Sequence, residues 1–466
     1  MVLPVIGRAC GRGIGLLLAT LLGVAGCATY ADRPLEEGRG AASVAELVAP
    51  MASMPAPLPA THRFDPSDGL DVTEVAMLAV ANSPQLRVRR DELGIARAQA
   101  FAAGLLPDPQ LALSADFPHP RASGLTTGYS LGLGEDIGAL LTRSSRQAAA
   151  RAQVRQVNLD LLWAEWQTVA QARLLFDQLH DLRAQRALLE REQPALAEVA
   201  GDIRAALRAG DLSYDSASAG LNAQAELRKR LADNAVALHQ ADADLHLLLG
   251  LAPDAPLALV GAAYRAAPTA AERDAALDAL PRRRPDLLAL QAGYASQQEK
   301  LRAAILAQFP ALNIGFNTAR DTSNVRTRGF SIGITLPLFD RNRGNIAIER
   351  ATRAQLHDDY TARVLTTRSD IRRIDADLAT LDAQVDQLQA HVQELDQARD
   401  AADRAWRAGA LDWPTWLAIR SNALAAELDL LATRQERARQ SIALDTLLGR
   451  SDLAAPNLST AKAATR

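Results

Sequence analysis

The most constraining feature of this sequence is a heptad pattern of apolar residues inside the stretch from Asn345 to Gly449. Its members alternate three and four residues apart: Ile371, Ile374, Leu378, Leu381, Val385, Leu388, Val392 and Leu395. An apolar period of 3.5 residues is typical of a helix that supercoils against a neighbour. The pattern stops near Gly409 and a second periodic helix continues to Gly449, so we predict two antiparallel helices joined by a tight turn. The first would be roughly 95 Å long at about 1.5 Å per residue.

The composition favours long helices over a thick core. Aromatic residues make up only 4% of the 466 residues, as in chains whose helices pack through narrow aliphatic seams. The net charge of −3 provides no basic surface, and we therefore predict that the chain does not bind nucleic acid.

The N-terminus is typical of an exported protein. Residues 1–26 combine two arginines with a short apolar run, which is too short for a permanent membrane helix and predicts a lipoprotein signal peptide. Val24-Ala25-Gly26-Cys27 resembles the bacterial lipobox, which implies that Cys27 is lipidated, carries palmitate and becomes the mature N-terminus. The alternative is an ordinary signal peptide with an incidental cysteine. Residues 27–70 are then expected to be a lipidated N-terminal linker or a strap on the surface.

Two segments alternate apolar with small or polar residues. The apolar positions are Leu111, Leu113, Ala115 and Phe117, followed after a loop by Tyr129, Leu131 and Leu133. This period of two predicts a β-hairpin with one apolar face and one face that meets water. Two helices are predicted next, from Leu140 to Leu207 with a bend at Pro194, and from about Ser213 to Leu248.

The same series of sequence motifs then occurs a second time, at an offset of 199 to 203 residues. Leu312, Ile314 and Phe316 repeat the first strand, and Arg407-Ala408-Gly409 repeats Arg208-Ala209-Gly210. Such a register indicates a tandem duplication. We predict a first structural repeat at 71–262, a second at 263–450, and a flexible C-terminal tail at 451–466.

One chain offers only four strands, which cannot close into a barrel. Open sheet edges are not tolerated in lipid, so several chains must combine, and three would give twelve strands. The predicted fold is therefore mainly α with a small membrane β-barrel. Duplicated long helical hairpins would form a trimeric α-barrel, and each protomer would add four β-strands to a 12-stranded barrel.

Several motifs resemble the TolC-like outer-membrane efflux proteins, from about residue 70 to 450. They are Arg283-Arg284-Pro285-Asp286-Leu287, the segment from Leu336-Pro337-Leu338-Phe339 to Ile346, and the paired Ala-Gly turns. The second segment looks most like the heavy-metal branch, the CzcC and CusC type.

The resemblance implies an outer-membrane, lipid-anchored homotrimer that extends into the periplasm. It would be the channel component of a tripartite efflux system, with a periplasmic adaptor (membrane fusion) protein and an inner-membrane pump of the RND type. It would passively conduct substrate to the outside, with heavy-metal cations as the leading cargo. The alternatives are a drug-efflux or type I secretion duct and, in a different class, a periplasmic coiled-coil scaffold that never spans lipid.

In this family, the helical tips meet the adaptor through a Val-Gly-Leu-x-Ser/Thr-like turn. The matching positions here are Ala209, Gly210, Asp211, Leu212 and Ser213 in the first tip, and Ala408, Gly409, Ala410, Leu411 and Asp412 in the second. Alanine replaces valine in both tips, and Asp412 replaces Ser/Thr. Asp211, Asp215 and Asp412 are candidates for a gate ring, or simply solvated turn carboxylates. Trp406, Trp413 and Trp416 are expected to seal the hairpin, or less often to dock a partner.

No catalytic set is recognisable, and we predict neither an enzyme nor a bound cofactor or metal. Of the seven histidines, His239 and His246 could share a helix face with Asp242. Their spacing separates the imidazoles by about 10 Å, which is too far for one zinc ion. A polar stripe on the helix surface is the favoured interpretation.

Overall fold

The computed structural model describes residues 30–35, 38–47, 64–119, 124–261 and 268–449. The chain divides into a short unit, residues 1–39, and a main unit, residues 40–466. The described part of the short unit has no regular secondary structure. All the helices and strands given below lie in the main unit.

The first half of the main unit places two short helices before a hairpin and two long helices after it. A 3₁₀ turn at Val44–Glu46 precedes these elements. In chain order they are α1 (Val72–Asn82), α2 (Pro84–Gly104), β1 (Gln110–Asp116), β2 (Gly128–Asp136), α3 (Gly138–Ala209) and α4 (Tyr214–Leu249).

The second half of the main unit has the same order of elements. They are α5 (Ala270–Arg283), α6 (Pro285–Leu306), β3 (Ala311–Arg320), β4 (Arg326–Thr335), α7 (Arg343–Arg407) and α8 (Trp413–Leu448). The two longest helices have 72 residues in α3 and 65 in α7. At about 1.5 Å per residue they extend roughly 108 Å and 98 Å, and α3 continues without interruption through Pro194.

Both halves begin with the same helix start. The Asp71 carboxylate accepts hydrogen bonds from the backbone N–H groups of Thr73 and Glu74, at 2.7 and 2.8 Å, and the Glu74 side chain accepts one from Asp71 N–H. Together these bonds form a capping box at the start of α1. Thr269 and Glu272 form the equivalent box at the start of α5.

Helix α3 is the element around which the others pack. It contacts α1, α2 and α4 of its own half and α6 and α8 of the other half, whereas α7 packs mainly on α6 and α8. The largest apolar cluster joins α1 to the middle of α3 and the end of α4, with residues such as Leu78, Phe176 and Leu249 fully or almost fully buried. A second cluster joins the tip ends of both helical hairpins.

Arg284 connects the second half to α3. Its side chain is 1% exposed and binds the Asp286 carboxylate at 2.9 and 2.6 Å, and its guanidinium lies 4.9 Å from the ring centre of Trp163 in α3. Arg363 of α7 binds the same carboxylate at 3.0 Å. Burial opposes ionisation of Asp286, but these two arginines outweigh it and hold the pKa of that carboxyl below its usual value.

The segment between the halves is tied down by short parallel bridges. Ala41 pairs with Leu251, and Leu70 pairs with Leu259. Ala41 and Leu70, which both precede α1 in the chain, therefore lie beside the segment that follows α4.

None of the helices in the described ranges is both long enough and apolar enough to cross a membrane.

Candidate functional site: the sheet and the helical tips

The four strands form one antiparallel sheet in the order β1-β2-β3-β4. The pairing of β2 with β3 joins the hairpins of the two halves, so Leu133 lies opposite Phe316 and Tyr129 opposite Arg320. This leaves one side of β1 and one side of β4 without a strand partner among the described residues. The two hairpins thus form a single sheet whose outer edges have no strand partner in the part of the chain that the structure describes.

One face of this sheet, called here the apolar face, carries large hydrophobic side chains across all four strands. The register places Leu111, Leu133, Phe316 and Phe330 in one row. The other members are Leu113, Ala115, Tyr129, Leu131, Leu312, Ile314, Ile332 and Ile334. These side chains face no core, since Leu113 is 75% and Phe330 79% exposed.

The opposite face consists of small and polar residues. It includes Ser114, Ser130, Gly132, Asn313, Gly315, Asn317, Gly329 and Ser331. Ser114 and Ser130 are hydrogen-bonded across the strands at 2.8 Å. A sheet with one large apolar face and one small polar face can separate a hydrocarbon phase from water.

Each helical hairpin ends in a turn closed by a left-handed glycine. Gly210 has φ 83° and Gly409 has φ 70°, a conformation that favours glycine over residues with a Cβ atom. The backbone N–H after each glycine reaches back into the preceding helix, from Asp211 to the Ala206 carbonyl and from Ala410 to the Ala405 carbonyl, both at 2.9 Å. The next helix starts on Ser213 in the first tip and on Asp412 in the second.

Two groups of ion pairs connect the two helical hairpins, at positions further along the helices from the tip turns. Arg420 of α8 binds Glu192 of α3 at 2.7 Å and both oxygens of Asp403 in α7 at 2.8 Å. Burial alone would lower the pKa of Arg420, but Asp403 and Glu192 outweigh it and raise that pKa. In the second group, Glu427 of α8 binds Arg191 of α3 and Arg399 of α7.

Part of the chain matches a known protein family. The model of the outer membrane efflux protein family matches residues 276–450. The cobalt-zinc-cadmium resistance protein CzcC of Cupriavidus metallidurans is 28% identical over 298 residues, 56% of this chain and 71% of that protein. The putative multidrug resistance outer membrane protein MdtQ of Shigella flexneri is 25% identical over 350 residues, 65% of this chain and 69% of that protein.

The fold has a close match among solved structures. Crystal structures of CusC, studied for folding and transmembrane channel formation, match with a TM-score of 0.67 at 18% identity, covering 85% of this chain and 96% of that one.

The second half of the chain is thus similar to the outer membrane efflux protein family, and the chain as a whole has the fold of CusC. The predicted fold class, long helices with a small four-stranded sheet, is confirmed.

In the structure, the predicted tip residues form two separate exposed turns. Nearly all of them are exposed to solvent, and only Leu212 and Leu411 are half-buried against the tip cluster. Asp211 and Asp215 lie together on the first tip, while Asp412 lies on the second. Asp412 accepts a hydrogen bond from Thr415 N–H at 3.1 Å, and its bonds with Thr415 lower its pKa.

The tryptophans near the second tip pack both within their own hairpin and against the other hairpin. Trp416 is 2% exposed and donates its indole N–H to Asp403 at 2.8 Å. Trp413 reaches across to α4, because a Cβ atom built on Gly220 would lie 3.1 Å from its ring and 2.3 Å from Ile203. Gly220 therefore gives the two hairpins room to approach each other.

The interpretation of His246 as part of a surface stripe is wrong. Its side chain is buried, with Nδ1 2.7 Å from the Asp242 carbonyl oxygen and Nε2 2.8 Å from the Ala255 carbonyl oxygen. It fastens the end of α4 to the segment that follows. Among the described residues, no group of three or more His, Cys, Asp or Glu could hold a metal ion. The predicted lipidation site, Cys27, lies outside the described residues.

Proposed function

We propose that three copies of this chain form the outer-membrane duct of a tripartite efflux system. The observation that carries the proposal is the sheet with one largely apolar face and two edges that have no strand partner among the described residues. In hydrocarbon, unpaired backbone N–H and C=O groups are each unfavourable by several kcal/mol, about 4–8 in alkane transfer. Pairing β1 of one copy with β4 of the next removes both edges, and three copies give the 12 strands of a closed barrel.

The helices supply the periplasmic part of this duct. Three copies contribute twelve long helical segments from the two hairpins of each chain, and α3 alone is roughly 108 Å long at 1.5 Å per residue. A tube of this length would reach from the outer membrane far across the periplasm. Cys27, as a lipidated N-terminus, would add an anchor beside the barrel.

The tips form the gate and the docking point in this proposal. A periplasmic adaptor protein would dock on Ala209–Ser213 and on 408–412, and an inner-membrane pump of the RND type would supply the energy. Docking would spread the helices at Gly210 and Gly409. Asp211, Asp215 and Asp412, repeated by symmetry, would place a ring of carboxylates at the opening, and such a ring favours cations.

Heavy-metal cations are the proposed cargo. The similarity to CzcC, a protein named for cobalt, zinc and cadmium resistance, supports this, as does the acidic tip. Drugs are the second candidate, because MdtQ is named as a multidrug resistance protein. A deletion strain complemented with this gene separates the two: restored tolerance to cobalt, zinc and cadmium supports metals, and restored tolerance to drugs alone overturns that cargo.

The gate is tested by cross-linking neighbouring tips. The sequence has only two cysteines, Cys10 and Cys27, so a signal peptidase cut before a lipidated Cys27 would leave no other free thiol. In the double variant Asp211→Cys and Asp412→Cys, oxidation should abolish export, and reduction should restore it.

A matched pair, Ala232→Cys and Ala432→Cys, places thiols on exposed positions of α4 and α8 away from the tips. Oxidation of this pair should leave export intact. Undiminished export by tip variants with verified cross-links would remove the gate from the proposal.

A further inference from the structure

Three arginines occupy the loop end of the apolar face. The row beyond Phe316 and Phe330 contains Thr318 opposite Arg328, and the next contains Arg320 opposite Arg326. Same-face neighbours on a strand are about 7 Å apart, so the arginines begin one row above the aromatic pair. All three belong to the hairpin of the second half.

The apolar face of the first hairpin contains no arginine at the same height. Its corresponding rows contain Leu113 opposite Leu131 and Ala115 opposite Tyr129. The loop end of the β1–β2 hairpin therefore forms with only apolar residues on this face. The arginines of β3 and β4 are an addition that the fold itself does not need.

The arginines lack acidic partners among the described residues. Arg326 and Arg328 are exposed and form no ion pair there. Arg320 donates to the Thr126 hydroxyl at 3.2 Å, while its Nε is buried without an acceptor. The neighbouring Asp321 carboxylate accepts the backbone N–H groups of Ser323 and Val325, each at 2.9 Å.

The pairing of Arg320 with Arg326 puts two positive charges directly opposite each other on one face. Like charges at such positions destabilise a sheet. An anion between the side chains would relieve this repulsion, and the planar guanidinium group matches the oxygen atoms of a phosphate.

The position of the cluster decides the source of that phosphate. The helices join the sheet at its other end, at Gly138 and Arg343, so the arginines lie at the end farthest from the helices. In the proposed duct this end reaches the outer surface of the membrane, and the arginines point outward from the barrel, just above its aromatic residues. This is the level of lipid headgroups.

We propose that Arg320, Arg326 and Arg328 bind the phosphorylated headgroup of an outer-leaflet lipid, at one site per protomer. This inference rests on the proposed function, because it requires the apolar face to lie in the membrane. The lipid would fix the height of the barrel in the bilayer and relieve the repulsion between Arg320 and Arg326.

The test measures lipid retention by the full-length protein. The protein is reconstituted into phosphatidylcholine vesicles doped with bisphosphorylated lipid A, extracted in detergent, and analysed by native mass spectrometry. The wild-type chain should retain lipid A in preference to phosphatidylcholine and to dephosphorylated lipid A. An arginine near an anionic lipid surface is worth roughly a fivefold change in binding, so Arg326→Gln with Arg328→Gln should reduce retention on the order of 25-fold.

Two controls separate the possible outcomes. Arg368→Gln with Arg372→Gln removes the same charge from exposed positions of α7 and should retain lipid A as the wild type does. Equal retention by the Arg326/Arg328 variant, or displacement of lipid A by inorganic phosphate alone, would overturn the lipid site but not the duct. If the wild-type chain fails to float with vesicles of either composition, the membrane duct is wrong and the lipid site is excluded with it.

Discussion

The two long helices α3 and α7 occupy equivalent places in the two halves, yet their surroundings differ. Helix α3 buries 17 residues along its length and contacts helices of both halves, whereas α7 buries only five. The perfectly regular heptads belong to α7, but positions such as Leu381, Leu388 and Leu395 are only half-buried in the single chain.

The two equivalent helices therefore have different roles in the fold. Helix α3 acts as the internal axis on which the second half docks. Helix α7 retains free surface, with Ile348 62% and Leu365 63% exposed. A ring of identical chains needs one such uncovered helix per subunit, and in the proposed trimer α7 is available for the neighbouring copy.

The largest difference is expected between two arginines that bind the same carboxylate, one at the junction of α5 and α6 and one in α7. Arg284 is buried against α3, while the Arg363 side chain on α7 is 45% exposed. Arg284→Ala should lower the free energy of unfolding by about 3–5 kcal/mol because it leaves Asp286 buried without its main partner. Arg363→Ala should lower it by about 1 kcal/mol or less. Denaturant unfolding of the purified protein measures both, and equal losses would contradict the special position of α3.

A matched truncation in the two helices tests the same contrast. Leu189 of α3 is fully buried, whereas Leu388 of α7 is half-buried. Leu189→Ala should destabilise the chain by about 2–5 kcal/mol through lost burial and a residual cavity, and Leu388→Ala by clearly less. Thermal unfolding monitored by circular dichroism gives the two values. A larger effect at Leu388 would contradict the conclusion that α3, and not α7, is the central packing helix.

The smallest expected effect depends on pH. Burial, together with the charge of Asp181, raises the pKa of Asp177 in α3 from 3.8 to about 7, against the opposing charge of Arg173. The folded state therefore binds a proton that the unfolded state releases between pH 3.8 and about 7. The stability contributed by the neutral form is complete below this window and is lost as the pH rises through it.

Replacing Asp177 with asparagine should remove this dependence. At pH 8 the variant should be more stable than the wild type by on the order of 1 kcal/mol after allowance for solvent screening, and near pH 4 the gain should vanish. Melting curves at both pH values provide the measurement. Asp386→Asn, at an exposed position of α7, is the control and should shift the melting temperature equally at both.

The sequence predicted the elements of the fold well because their signals are local. Helix ends at Gly210 and Gly409, the alternation in the strands, and the capping box at Asp71 each depend on a few neighbouring residues. The central role of α3 could not be predicted in this way. Since α3 contacts partners on several sides, its apolar residues follow no single stripe, and its heptads look irregular in consequence.

The functional surfaces were predictable to different degrees. The tip residues and the apolar alternation were recognisable, but the pairing of β2 with β3 and the ion pairs at Glu192 and Glu427 join residues far apart in sequence. A charged residue on a helix normally indicates a solvated position, and nothing near Arg420 in the sequence shows that two carboxylates surround it. His246 was misjudged for the same reason, because its acceptors lie on a later segment as well as on its own helix.

The two open edges of the sheet have a genetic consequence. In a ring closed head to tail, every joint uses a different edge of each subunit, and no joint is redundant. A subunit with one defective strand edge therefore prevents closure of any ring that contains it, even when the other subunits are normal. Expressed beside equal amounts of normal protein, such a chain would leave only about one ring in eight unaffected in a trimer, so edge mutations should behave as dominant rather than recessive.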